Sequence, residues 1–123
     1  MRFLLSIGSA ACFFAVALGA FGAHALKSYL DESQLAIWHT ANQYQFFHGI
    51  ALLTLASLSS LSEKIRVKIG FCFLTGIILF SGSLYFYALF GIKIFAMITP
   101  IGGLAFLIAW FLLFINVWKK HGT

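Results

Sequence analysis

Apolar residues fill this chain in four long stretches, and charged residues stand only at the ends of the stretches. The charge-free stretches comprise residues 3–26, 33–62, 69–92 and 94–118, which are 24, 30, 24 and 25 residues long. A helix needs about 20 apolar residues to cross a hydrocarbon layer of about 30 Å. Each stretch therefore predicts one membrane-spanning helix, and together the four helices leave no room for a second domain.

Composition indicates that lipid surrounds most of the chain. Hydrophobic residues make up 62% of the 123 residues, charged residues make up 9%, and 15 residues are Phe. Soluble domains are roughly 45–50% apolar and about 25% charged, and a domain this small cannot bury so much apolar surface. These values exclude a soluble enzyme, a disordered tail and a conventional nucleic-acid-binding domain. The fold class predicted is all-α, an integral membrane four-helix bundle that forms a single domain over residues 1–123.

The distribution of basic residues predicts the orientation in the membrane. With four spans both termini lie on the same side, and that side holds six of the eight Lys and Arg residues: Arg2, Lys64, Arg66, Lys68, Lys119 and Lys120. The other side holds Lys27 and Lys93. Basic residues accumulate on cytoplasmic loops. We therefore expect a multi-pass protein of the bacterial inner (plasma) membrane with both termini cytoplasmic.

Two of the stretches need finer boundaries. The second is longer than a span, and Asp31 with Gln34 resembles a helix capping box. We therefore expect residues 28–39 to protrude or to lie at the outer interface. Pro100 is favourable in a first helical turn, where Thr99 can cap it, so we favour a fourth helix that begins there. A kinked helix that begins near Ile94 is the alternative. The expected spans cover about residues 3–26, 40–61, 69–91 and 99–118.

Small residues mark the faces along which the helices are expected to pack. Small side chains let helices approach closely, which is a main source of helix association in lipid. The expected packing residues are an i, i+4 series on the first span and a pair near the start of the fourth: Ala11, Ala15, Gly19, Ala23, Gly102 and Gly103.

Polar residues inside the spans are the candidates for a functional site, because they are costly in hydrocarbon. No span has a central Asp, Glu, Lys or Arg. Helical rise places His48 and Tyr85 at similar depths in the outer half of the membrane. The candidate pocket consists of His24, Trp38, Gln45, His48, Ser81 and Tyr85. These residues form either an outward-open pocket or only hydrogen bonds between helices. We expect no catalytic residue, no metal site and no resident cofactor.

Several short motifs resemble a known family. They are, in chain order, GAFGAH at 19–24, Trp38, Thr40 and Ala41, Tyr44 and Gln45, His48, FSGSLY at 80–85, TPIGG at 99–103, and Trp110. Together they resemble the YgdD/YwdK-like family of small bacterial inner-membrane proteins, a domain of unknown function to which small eukaryotic transmembrane proteins are similar. Ala109 departs from the glycine that this family often has there. The resemblance implies a compact four-span protein and carries no agreed activity.

Three functions are compatible with these features. The first is a non-enzymatic scaffold that binds membrane lipid, a second copy of the chain or a partner membrane protein. The second is a transporter or facilitator of a small solute through the outward pocket. The third is a cofactor-binding bundle in which His24 and His48 ligate a haem, although their difference in depth fits one haem iron poorly. We favour the first, and nucleic acid is not an expected partner.

Overall fold

The computed structural model describes residues 1–121, except for the side chain of His121, and these residues form an all-α membrane protein without strands. The helices are α1 (Arg2–His24), α2 (Glu32–Ser57), α3 (Glu63–Gly76), α4 (Ser83–Phe90) and α5 (Lys93–His121). A turn of 3₁₀-helix, Leu26–Ser28, follows α1. A π-helical segment, Ile77–Gly82, joins α3 to α4 without a break. The predicted all-α membrane class is confirmed.

Three of the long helices have the length and apolar composition of a membrane span. They are Arg2–His24, Glu63–Phe90 and Lys93–Lys120. The helix α2 is not among them, although its 26 residues extend about 39 Å at 1.5 Å per residue. Its sequence includes Gln34, His39, Asn42, Gln45 and His48, which lower its hydropathy.

The helix α2 occupies the centre of the structure. It packs against α1 on one side and against α3, the π segment and α4 on another, while α5 packs against α3, the π segment and α4. Nine of its residues are buried, more than in any other helix. The helix with the most polar side chains is thus the one most enclosed by the others.

Six of the eight Lys and Arg residues lie at the end of the structure that holds Met1, and Lys27 and Lys93 lie at the other end. At the first of these ends the amino group of Met1 lies 3.5 Å from Glu63 Oε1, and residues of the α2–α3 connection share a cavity with Lys119 and Lys120. At the opposite end, Gln34 Nε2 donates to the carbonyl of Ala88 at 3.0 Å.

The start of α2 lies within residues 28–39, whose expected protrusion or place at the outer interface stays a prediction. The capping box is present: Asp31 Oδ1 accepts from Gln34 N at 2.8 Å, and Gln34 Oε1 accepts from Asp31 N at 2.9 Å. The helix then continues without interruption, and Trp38 is only 2% exposed. Residues 32–39 are therefore part of the central helix, because the indole of Trp38 finds a partner on α1.

The start of the fourth long helix was predicted wrongly. It begins at Lys93 and contains Pro100 in its interior, as the alternative start near Ile94 implied. Gly91, with φ of +65°, ends α4 in the left-handed conformation that glycine adopts readily, so the chain reverses within two residues. The ring of Phe95 then stacks on Phe86. Packing against α4 holds the turns that precede the proline.

Candidate functional site

Three side chains of α2 donate hydrogen bonds to backbone carbonyls of α1. The pairs are Gln45 Nε2 with Ala11 O, Asn42 Nδ2 with Ala15 O, and Trp38 Nε1 with Leu18 O, at 3.0, 2.6 and 2.9 Å. Donors and acceptors both recur at intervals of three and four residues, which places each set on one helix face. A carbonyl oxygen has two lone pairs and can accept such a bond beside its helical one. We call these three bonds the carbonyl ladder.

Small residues of α1 make the carbonyl ladder possible, because they let α2 approach the backbone. A Cβ atom at Gly19 would lie 2.8 Å from Asn42 Oδ1, and one at Gly22 would overlap the indole of Trp38. Ala15 is buried, whereas Ala23 is exposed, so the expected i, i+4 series is corrected at its last member. A helix has 3.6 residues per turn, and a strict four-residue repeat therefore drifts off the contact face that Gly22 occupies.

The hydroxyl of Tyr85 in α4 links two side chains of the carbonyl ladder into one hydrogen-bonded network. It donates to Gln45 Oε1 at 2.7 Å and accepts from Asn42 Nδ2 at 3.1 Å. The ring of Trp38 packs edge-on against the ring of Tyr85, with centroids 4.6 Å apart. The structure thus brings together Trp38, Gln45 and Tyr85 of the candidate pocket. It adds Asn42, which the candidate pocket did not include and which lies four residues after Trp38 and three before Gln45.

His48 belongs to a second, separate cluster. Its Nδ1 lies 2.7 Å from the carbonyl of Tyr44, and its Nε2 lies 3.1 Å from Trp110 Nε1. A carbonyl only accepts and an indole N–H only donates, so the partners select the neutral tautomer with the proton on Nδ1. The imidazole also stacks on Phe106, with ring centroids 3.6 Å apart. Both nitrogens are occupied, and neither is free to ligate a metal or to accept a proton from a substrate.

Trp110 is a site residue that the sequence analysis left out of the candidate pocket. Between Thr99 and Asn116 the residues of α5 are apolar, so no alternation of polar and apolar positions indicates which face of this part meets α2. The signal that was present was the tryptophan itself, whose N–H needs a hydrogen-bond partner in an apolar environment.

His24 stays apart from both clusters. It is exposed at the end of α1. His48 lies level with Cys12, whose Sγ faces the adjacent Gly49. The two histidines are therefore separated by about 12 residues of α1, or about 18 Å along the helix. That distance is too great for both imidazoles to bind one haem iron. Within the described part of the chain, no three His, Cys, Asp or Glu side chains are grouped closely enough to hold a metal ion.

Two cavities take the place of the single expected pocket. One, of about 520 Å³, is lined by aromatic and apolar residues with the His48 ring: Tyr44, Phe80, Pro100, Gly103, Phe106 and Trp110 among them. The other, of about 390 Å³, lies beside the π segment and includes Gln45, Ser81 and Tyr85 in its lining. His24 and Trp38 line neither of these two cavities. Four of the six candidate residues are thus divided between the two cavities, with His48 in one and Gln45, Ser81 and Tyr85 in the other.

Comparisons with known proteins show where the chain belongs. Residues 18–103 match the family model described as "Protein of unknown function (DUF423)". The chain is 41% identical over 123 residues to the UPF0382 membrane protein SAB0533 of Staphylococcus aureus, covering 99% of this chain and 100% of the relative. It is 38% identical over 121 residues to the UPF0382 membrane protein YwdK of Bacillus subtilis, covering 97% of this chain and 98% of that protein. No solved structure matches. The motifs, the helical membrane fold and these matches together show that the chain belongs to the DUF423 family.

Proposed function

We propose that the protein is a non-enzymatic scaffold of the plasma membrane that binds membrane lipid or a partner membrane protein. The observation that carries the proposal is that the polar side chains of α2 in the interior are already hydrogen-bonded to other parts of the protein. The amides and rings of α2 are engaged with α1 carbonyls, with Tyr85 and with Trp110. Groups held in this way fix helix positions, and they are not available as acids, bases or nucleophiles.

The outward faces support a binding role. Large apolar side chains project from α1 and α5, with Phe13 and Leu107 each 68% exposed. In lipid such faces can contact acyl chains or the helices of another protein. A solute path has less support, because a facilitator would need His48, Gln45 and Tyr85 around one opening, and they line two cavities.

The proposal includes four crossings with both termini in the cytoplasm. Six basic residues lie at or near the ends of helices on the side of Met1, against two on the other side, and basic residues favour the cytoplasmic side. Although α2 is less apolar than the other long helices, its Asn42, Gln45 and His48 side chains form hydrogen bonds with neighbouring helices. Such partners lower the cost of placing a polar side chain in hydrocarbon.

Cysteine labelling tests this orientation. Ser28→Cys, in the 3₁₀ turn after α1, should react with a membrane-impermeant maleimide on intact cells. Ser59→Cys, in the α2–α3 connection, should react only after permeabilisation. Both positions are exposed, so accessibility to the reagent is matched. The native chain, whose Cys12 and Cys72 lie within helices, serves as the unlabelled control. Labelling of Ser59→Cys on intact cells would contradict the proposed topology.

A stability and permeability experiment separates a scaffold from a facilitator. Trp110→Phe keeps an aromatic ring but removes the indole N–H that donates a hydrogen bond to His48 Nε2. We therefore expect the free energy of unfolding to fall by about 1 kcal/mol. Trp118→Phe, at a 68% exposed ring, should change it little. Proteoliposomes with either the native protein or Trp110→Phe should take up glycerol and urea no faster than vesicles without protein. Solute uptake that is faster than in protein-free vesicles, and that changes with Trp110→Phe, would favour the facilitator instead.

A further inference from the structure

A third cavity lies at the end of the structure that holds Met1, between the α2–α3 connection and the last turns of α5. Its volume is about 310 Å³, and its lining includes Ser60, Leu61, Ser62, Ile65, Lys119 and Lys120. This volume lies at the lower limit of small-molecule sites, about 300–1,000 Å³. The cavities beside His48 and beside the π segment have no charged lining residue, whereas two cations line this one. It is therefore the cavity suited to an anion.

The positive charge of this cavity is not balanced by an acidic side chain. The chain has three acidic residues, and two of them lie at the start of α2, at the opposite end. The third, Glu63, is 70% exposed, lies 3.5 Å from the amino group of Met1 and does not line the cavity. Lys119 and Lys120 form no ion pair within the described residues. An anion between the two ammonium groups would relieve their mutual repulsion.

The α2–α3 connection adds hydroxyl groups that a ligand can reach. Ser62 is exposed, and its Oγ accepts from Ile65 N at 3.4 Å, so its own hydrogen is available to an acceptor. Ser60 forms no side-chain hydrogen bond within the described residues, and its Oγ is not among the buried atoms that lack a partner. The Ser60 hydroxyl is therefore accessible from the cavity that the residue lines.

The position of the cavity along α5 places it where phospholipid headgroups lie. Lys119 and Lys120 directly follow the charge-free stretch 94–118, and Trp118, which is 68% exposed, precedes them. Tryptophan is enriched at the level of the headgroups, and lysines near the ends of membrane helices extend to the interface. A lipid phosphate can therefore reach the cavity without leaving the interface.

An aliphatic row on α5 leads from the cavity towards the hydrocarbon. Ile115, Leu112 and Ile108 lie four, seven and eleven residues before Lys119, so these side chains share one helix face. Ile108 is 44% exposed, and the other two are half-buried. An acyl chain joined to a phosphate in the cavity can lie along this row. The surface thus suits a molecule that joins an anionic group to hydrocarbon.

We propose that this cavity binds the phosphate of an anionic phospholipid, with Lys119 and Lys120 as its charged partners and the hydroxyls of Ser60 and Ser62 as hydrogen-bond donors. The inference rests on the binding role proposed above and names the class of lipid for it. Basic pockets between membrane helices bind anionic headgroups in other proteins. A zwitterionic lipid is disfavoured, because its cationic choline or ethanolamine group would lie next to the lysines.

The test measures lipid binding to the full chain in dodecyl maltoside micelles by native mass spectrometry, with thermal unfolding as a second readout. The probe is dioleoyl phosphatidylglycerol, and dioleoyl phosphatidylcholine is the zwitterionic control with the same acyl chains. We expect phosphatidylglycerol to bind about tenfold more tightly than phosphatidylcholine and to raise the melting temperature. Glycerol phosphate at the same concentration should not raise it, because it lacks acyl chains. Equal binding of the two lipids, or equal stabilisation by glycerol phosphate, would overturn the proposal.

Two pairs of lysine substitutions distinguish the cavity from the general positive charge of this end. Lys119→Gln combined with Lys120→Gln removes the charges that line the cavity. Lys64→Gln combined with Lys68→Gln removes two charges from exposed residues at the same end that do not line it. The first double variant should bind phosphatidylglycerol about tenfold more weakly, and the second should lose about twofold or less. Equal losses would show that the lipid follows the total charge and would overturn the site.

A carboxylate placed in the α2–α3 connection tests the same site from the opposite wall. Ser60→Asp adds a negative charge at a lining position and removes a hydroxyl donor, so we expect phosphatidylglycerol binding to weaken about tenfold. Ser59→Asp adds the same charge at the neighbouring exposed residue, which does not line the cavity, and should weaken it far less. Equal binding by the two variants would place the lipid elsewhere and overturn the site. These measurements are independent of labelling and solute uptake, so the phospholipid site can fail while the scaffold proposal stands.

Discussion

Gly102→Ala is expected to destabilise the protein by about 1–3 kcal/mol, the usual cost of adding a methyl group to a filled interior. The new Cβ atom would lie 2.7 Å from Phe80 Cα and 2.6 Å from the carbonyl carbon of Leu79. Both are backbone atoms of the π segment, and they cannot rotate away as a side chain can. Relief would require α5 to move off the helix against which it packs. Thermal unfolding in detergent measures the loss.

The next residue provides the matched control. A Cβ atom at Gly103 would have the Phe80 ring as its nearest neighbour, at 3.7 Å, which is ordinary van der Waals contact. Gly103→Ala should therefore leave the melting temperature unchanged or raise it, because alanine favours the helix over glycine by up to about 1 kcal/mol. Equal destabilisation by the two substitutions would show that α5 does not meet the π segment at Gly102.

The second large effect is expected at the centre of the polar network. Gln45→Leu removes the donor to Ala11 O and the acceptor of the Tyr85 hydroxyl, while it keeps a side chain of similar size. Hydrogen bonds between helices in lipid contribute about 0.6 kcal/mol on average and up to about 1.7 kcal/mol. The loss of two should lower the free energy of unfolding by about 1–3 kcal/mol, as measured by denaturation in mixed micelles.

A double-mutant cycle assigns that loss to the network. Tyr85→Phe removes the same Tyr85–Gln45 bond from the other side, so the combined variant should lose less than the sum of the two single variants. Thr54→Val on the same helix is the control: its hydroxyl donates only to Ile50 O within α2, so its stability should stay close to native. Strict additivity between Gln45→Leu and Tyr85→Phe would show that the two side chains do not interact.

The fold class followed from the sequence because lipid leaves the backbone few choices. Long charge-free stretches must form helices, and the charges that separate them mark their ends. Pro100 was misjudged because the rule for proline treats a helix in isolation, whereas here the turns before it are held by α4. The π segment gave no signal in the sequence, since nothing in the residues Ile77–Gly82 distinguishes a π turn from an ordinary turn of α-helix.

The candidate site was predicted only in part, for a related reason. Trp38, Gln45 and Tyr85 were identified because polar residues in a span need partners, and helical spacing shows which of them share a face. The choice of partners depends on how the helices are rotated about their axes. An apolar helix such as α5 carries no polar stripe from which to deduce its rotation, so the bond from Trp110 to His48 lay beyond the sequence pattern.

The carbonyl ladder has a consequence for how the chain enters the membrane during synthesis. The ribosome makes α1 before α2, so the carbonyls of Ala11, Ala15 and Leu18 are already in place when the amides of α2 emerge. A helix with this many polar side chains partitions poorly by itself, but as the second arm of a hairpin it arrives beside its acceptors. If α2 crosses the membrane as proposed, we expect its insertion to depend on α1 as a template and to follow the order in which the helices leave the ribosome.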